Sequence, residues 1–176
     1  MTMKMILKPW PHIIIDDFLP QDEFVRLTNH CKRSIERLPE RIHYSYNEQV
    51  QQWYLNYDPI AHHNMSQYLE FFDHRKYSKL RTLVNYVNIK ANFENPVHTE
   101  EPFKILSSIL YLGPESNNGT EIEWKQNRML IFAGQDDVTW RDYTSSDTDR
   151  YTFNHYLVDP KEIENELYKT LHFRIY

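Results

Sequence analysis

The chain has 176 residues, of which 40% are hydrophobic and 15% aromatic, including 13 Tyr, 9 Phe and 4 Trp. A chain of that length buries a real core, and one so rich in aromatic side chains is not disordered. The formal net charge of −5, with acids and bases interspersed, offers no basic face and weighs against a nucleic-acid partner.

The three glycines, Gly113, Gly119 and Gly134, fit neither glycine-rich phosphate-binding pattern, GxGxxG or GxxxxGK[ST]. A lone Cys31 excludes a disulfide framework and any cysteine-based zinc site, and fits a reducing compartment. The longest apolar stretches, Ile13 to Ile15 and Met129 to Ala133, fall far short of a membrane span. Met1 to Lys8 has no apolar h-region, so the expectation is a soluble, cytoplasmic protein of one domain, 1–176, without a membrane partner.

In chain order, His12 to Asp16 reads as a short β-branched strand. Leu19-Pro20-Gln21-Asp22-Glu23 then puts proline and two acids at a helix start, where the dipole favours them. Phe24, Leu27, Cys31, Ile35 and Leu38 make a continuous apolar stripe, and Pro39 ends it. Arg41 to Tyr57, rich in Tyr, Gln and Asn, is a strand or an ordered loop. A second helix begins at Asp58-Pro59, with the stripe Ala61, Met65, Tyr68 and Phe72.

After Lys79 the period becomes that of strands: Arg81 to Asn92, Lys104 to Leu112, Gly119 to Trp124, Asn127 to Ala133, Val138 to Tyr143 and Arg150 to Val158. Asn118-Gly119 and Gly113-Pro114 are turns. Asp159-Pro160-Lys161-Glu162 is a capping box that opens a closing helix. The regions are thus a helical support (1–79), a strand-rich core (80–158) and a C-terminal helix and tail (159–176). Helices first and then short strands without helices between them predict an α+β, mainly β architecture. The expected form is an antiparallel jelly roll buttressed by N-terminal helices.

His98-Thr99-Glu100 carries the candidate chemistry. On extended backbone, side chains two residues apart share a face, so an imidazole and a carboxylate can hold two positions of one metal ion. A third ligand from a later strand completes a 2-His-1-carboxylate iron site. Taken alone, HxE among nine histidines is a weak signal.

The sequence around it resembles the 2-oxoglutarate/Fe(II)-dependent oxygenases, specifically the small prolyl-4-hydroxylase-like members of bacteria and phages. The resemblance rests on Asn88-Ile89-Lys90-Ala91-Asn92, His98-Thr99-Glu100, Ile109-Leu110-Tyr111-Leu112 and Asn117-Asn118-Gly119-Thr120. It continues through Asn127-Arg128-Met129-Leu130-Ile131-Phe132 and Thr139-Trp140-Arg141-Asp142-Tyr143 to Arg150-Tyr151-Thr152. It covers residues 80 to 158, more loosely the whole chain, and implies a double-stranded β-helix of the cupin-like type.

The resemblance further implies Fe(II) and 2-oxoglutarate as cofactors. His98 and Glu100 match the first two iron ligands, and Arg150 matches the residue that clamps the far carboxylate of 2-oxoglutarate, with Thr152 on the same face. A planar guanidinium suits that role. The implied reaction is hydroxylation of a protein or small-molecule substrate, with 2-oxoglutarate decarboxylated to succinate. Loops at 40 to 57 and 92 to 104 would choose that substrate.

One position departs from the pattern. Arg141 stands where the second iron-binding histidine is expected, and arginine has no lone pair to give a metal. His155 is the nearest substitute, but its odd spacing from Arg150 sends it to the opposite face of a strand. A competing reading is therefore an inactive jelly-roll module that binds a protein partner or a small anion, with Arg141 paired to Glu100. Locally, Arg150 beside Asp147 and Asp149 also reads as a surface ion-pair partner.

Overall fold

The structure is a computed structural model that describes residues 2–8, 10–36, 65, 67–72, 80–89, 91–92, 99–114, 122–133 and 147–159. Its elements in chain order are β1 (Thr2–Ile6), β2 (His12–Asp16), α1 (Gln21–Glu36), α2 (Leu69–Phe72), β3 (Arg81–Ile89), β4 (Lys104–Gly113), β5 (Met129–Ala133) and β6 (Arg150–Val158). The strands form one six-stranded sheet in the order β1-β2-β5-β4-β6-β3. Every neighbouring pair is antiparallel. Strands from the start and end of the chain interleave, as in a jelly roll and unlike a meander.

Alternation along the strands gives the sheet two different faces. On one, Ile13, Ile15, Leu106, Leu110, Met129, Ile131, Phe153 and Leu157 pack with Phe24, Leu27 and Cys31 of α1 and with Met65 and Tyr68. The described members of the apolar stripes expected of both helical segments thus face this side of the sheet. The acids Asp22 and Glu23 occupy the first turn of α1, where its dipole favours them. The other face carries Trp10, Val87, Ile109, Tyr111, Ile122, Trp124, Leu130 and Phe132.

Two polar ties hold the early strands and α1 to the later ones. Asn127, at φ 58°, donates from Nδ2 to the Leu19 carbonyl at 2.8 Å and accepts at Oδ1 from the Leu19 amide at 2.9 Å. Arg128 donates from Nε to Asp16 Oδ1 at 2.6 Å and from Nη2 to Oδ2 at 3.2 Å, a bidentate pair. The guanidinium holds the Asp16 carboxyl below its ordinary range.

Several elements match their sequence signals closely. β2 and β6 begin and end where the sequence suggests, and β3, β4 and β5 differ by a few residues at their ends. β1 was not expected, because Thr2 to Ile6 is mostly exposed and lacks alternation. The expected strand Gly119 to Trp124 is corrected: Ile122 to Trp124 is irregular. The Tyr111 amide donates to the Arg128 carbonyl at 3.0 Å, and the Asn127 amide donates to the Tyr111 carbonyl at 2.9 Å. The place beside β4 is therefore taken by 127 and 128. The Glu123 carbonyl accepts instead from Arg128 Nη1 at 2.8 Å, outside any ladder. The start of the second helix, the segment 41–57, the Asn118-Gly119 turn, the strand 138–143 and the closing helix lie outside the described residues.

Candidate functional site

Along β6 the side chains of Arg150, Thr152, Asn154 and Tyr156 share the face opposite α1, and all four are buried. Arg150 is among the largest wholly buried side chains among the described residues, at 0% exposure, so it does not stand at the surface. Its guanidinium carbon lies 5.0 Å from the centre of the Trp124 ring. Tyr111 stacks on that ring at 4.5 Å and 19°. Thr152 sits opposite Tyr111 in the β4–β6 register.

Thr152 Oγ1 and Trp124 Nε1 are buried without a hydrogen-bond partner among the described residues. Leaving such atoms unsatisfied costs free energy, so each is a donor waiting for an acceptor. A buried guanidinium with a hydroxyl and an indole N–H on the same face suits a carboxylate. Two members of this group, Arg150 and Thr152, are positions that the sequence singles out.

A second charged group lies toward the other end of β6. Lys104 Nζ is 2.8 Å from Glu100 Oε2 and 3.5 Å from Glu101 Oε2. It also sits 4.6 Å from the centre of the Tyr156 ring. The contact with Glu100 is a close charge pair, and the Glu100 side chain is only 6% exposed. Burial disfavours the ammonium, but Tyr156, Glu100 and Glu101 outweigh it and hold the lysine well above its ordinary value. Arg150 stands at the start of β6 and Lys104 lies opposite Val158 at its end, so the two cations occupy different parts of the strand.

A backbone irregularity puts Lys104 there. The register slips between Lys104 and Leu106: Lys104 lies opposite Val158, and Leu106 opposite Leu157. Without that bulge, Lys104 and Leu106 would share the face that packs on the helices. The Lys104 amide donates to the Glu101 carbonyl at 2.9 Å, and the Asp159 amide donates to the Phe103 carbonyl at 3.0 Å, which fixes the turn between the two charges.

Of the three positions expected around iron, only Glu100 is among the described residues. Among the described residues no three His, Cys, Asp or Glu side chains gather as metal ligands, and Glu100 is engaged by an ammonium. His98 and Arg141 lie outside the described residues, as do His43, His62 and His63. The described partner of Glu100 is thus Lys104. His155 lies on the helix-facing side with Leu157 and Phe153, wholly buried. Its carbonyl accepts from Ser108 Oγ at 2.8 Å, and its parity is the one that the spacing from Arg150 implies.

Sequence reasoning missed Lys104, Tyr156 and the Tyr111–Trp124 stack as parts of the site. The i, i+4 spacing of Glu100 and Lys104 was visible, but the bulge that turns Lys104 inward was not.

Fold and site together define a mainly-β jelly-roll protein of the double-stranded β-helix type with a wholly buried arginine on the face opposite the helices. No protein-family model matches the sequence, and no curated protein matches it significantly. Among solved structures, the chain is similar to a prolyl-4-hydroxylase from Pseudomonas putida, with 13% identity over 84% of this chain and 91% of that one, TM-score 0.61. It is also similar to a prolyl hydroxylase from Trichoplax adhaerens in complex with a hypoxia inducible factor oxygen degradation domain peptide fragment, with 13% identity over 88% and 86%, TM-score 0.60. A third is the 2OG complex of a viral collagen prolyl hydroxylase from Paramecium Bursaria Chlorella virus-1, with 14% identity over 84% and 94%, TM-score 0.53. At these identities the likeness is one of fold. All three neighbours are prolyl hydroxylases.

Proposed function

We propose that this chain is a 2-oxoglutarate-dependent oxygenase-like protein whose cosubstrate pocket is built on Arg150 and Thr152. The observation that carries this reading is the wholly buried Arg150 beside two buried donors, Thr152 Oγ1 and Trp124 Nε1, on the face opposite the helices. The fold of the prolyl hydroxylase neighbours supports it, and one of those neighbours is a 2OG complex.

In this reading Arg150 grips the distal carboxylate of 2-oxoglutarate through its planar fork, and Thr152 donates a further hydrogen bond. Trp124 lies against the guanidinium and restricts its orientation. Tyr111 backs Trp124. A small dicarboxylate is therefore the partner of this pocket, and the hydroxylated substrate is a separate molecule, a protein or a small molecule.

Hydroxylation requires Fe(II), which the resemblance assigns to His98 and Glu100. The Lys104–Glu100 pair favours a second reading, a jelly-roll module that binds the dicarboxylate without catalysis. The two readings separate in one assay. The protein is incubated with Fe(II), ascorbate and 2-oxoglutarate, and succinate is measured against a heat-denatured control. Succinate above control supports the oxygenase, and its absence from a protein that binds 2-oxoglutarate supports the module.

A further inference from the structure

Glu100 is nearly enclosed, and its close described contact is a lysine delivered by a bulge in β4. An ammonium 2.8 Å from a carboxylate occupies the space and neutralises the charge that a divalent cation would need. Tyr156 lies against the same ammonium, and the turn between the two charged residues is tied to the sheet by backbone hydrogen bonds. The pair is thus held by structure on several sides, unlike a surface salt bridge, where two long side chains must be ordered for little gain.

We propose that Lys104 is a built-in counter-cation for Glu100, which reserves this carboxylate so that a divalent metal reaches it only by displacing the lysine. The proposal rests on the reading of Glu100 as the metal-side carboxylate. It leaves dicarboxylate capture at Arg150 open to the metal-free protein, because Arg150 and the Lys104–Glu100 pair lie toward opposite ends of β6. It also assigns the β4 bulge a role, since that irregularity turns Lys104 toward Glu100.

The test titrates the full chain with Mn(II), a redox-stable probe, by calorimetry, and follows each variant's thermal melt to confirm folding. Lys104→Met is expected to bind Mn(II) about tenfold or more tightly than wild type, and Lys104→Arg, which keeps the cation, to stay at the wild-type level. Lys104→Gln carries the same expectation as Lys104→Met should the latter fail to fold. Wild type is expected to bind 2-oxoglutarate in the absence of Mn(II). Mn(II) binding by wild type that Glu100→Gln removes and Lys104→Met does not tighten would overturn the proposal and leave Glu100 as a metal-side carboxylate. No Mn(II) binding by any variant would overturn both.

Discussion

The guanidinium of Arg150 lies 5.0 Å from the centre of the Trp124 ring, on the opposite side of the sheet from α1. An arginine placed this way makes a cation–π contact with the indole, and its planar fork is what a carboxylate needs. Lysine would keep the charge and lose both the plane and the fork. Arg150→Lys is therefore expected to weaken 2-oxoglutarate binding by about tenfold or more while the protein still folds, as read by calorimetric titration alongside a thermal melt.

Thr152 separates a binding role from a packing role. Its hydroxyl is buried without a hydrogen-bond partner among the described residues, so it contributes no hydrogen bond there to the unliganded fold. Thr152→Val keeps the branched shape and removes the unsatisfied group. The variant is expected to melt at or above the wild-type temperature and to bind 2-oxoglutarate several-fold more weakly. A lower melting temperature with unchanged affinity would make Thr152 a structural residue only.

Asn127 joins the entry of α1 to β5 by two side-chain hydrogen bonds to Leu19, at 2.8 and 2.9 Å, and does so at φ 58°. Each such bond contributes about 1 kcal/mol net, and alanine is strained at positive φ. Asn127→Ala is expected to lower unfolding free energy by about 2 kcal/mol or more in denaturant titration. Asn127→Gly, free of the backbone strain, should lose less.

Stability at acid pH should depend on Asp16. The hydrogen bond from Arg128 lowers its pKa from the ordinary 3.8, so the unfolded chain takes up a proton before the folded one does as the pH falls. The contribution of the pair is therefore present above that ordinary value and is lost as the pH drops through the lowered one. Between about pH 5 and about pH 3 the wild-type melting temperature should fall more steeply than that of Asp16→Asn. Equal slopes would mean that the Arg128 pair adds nothing to folding.

Much of the fold was legible because it is written in local periods. The β-branched run at Ile13 to Ile15 and the alternation from Arg150 to Val158 fixed two strands, and the stripe of Phe24, Leu27 and Cys31 fixed the buried face of α1. Arg150 and Thr152 fell on one face because two residues on a strand always do, and the same parity sent His155 to the other side. What stayed hidden depends on backbone departures and on contacts distant in sequence. The bulge after Lys104 reverses parity for one residue, and no composition signal announces it. Trp124 reaches Arg150 from an irregular segment that reads as a strand, because the hydrogen bond from Arg128 to the Glu123 carbonyl spans a turn that propensity does not register. β1 is exposed and owes its place to pairing with β2 rather than to its own pattern.

The most direct test of the central claim is calorimetric titration of 2-oxoglutarate into metal-free wild-type protein and into Arg150→Ala, with the melting temperature of each recorded. The account predicts saturable binding to wild type, with one 2-oxoglutarate per chain, and none to a folded Arg150→Ala. Equal affinity in the two proteins, or no binding to wild type with or without added metal, would contradict it.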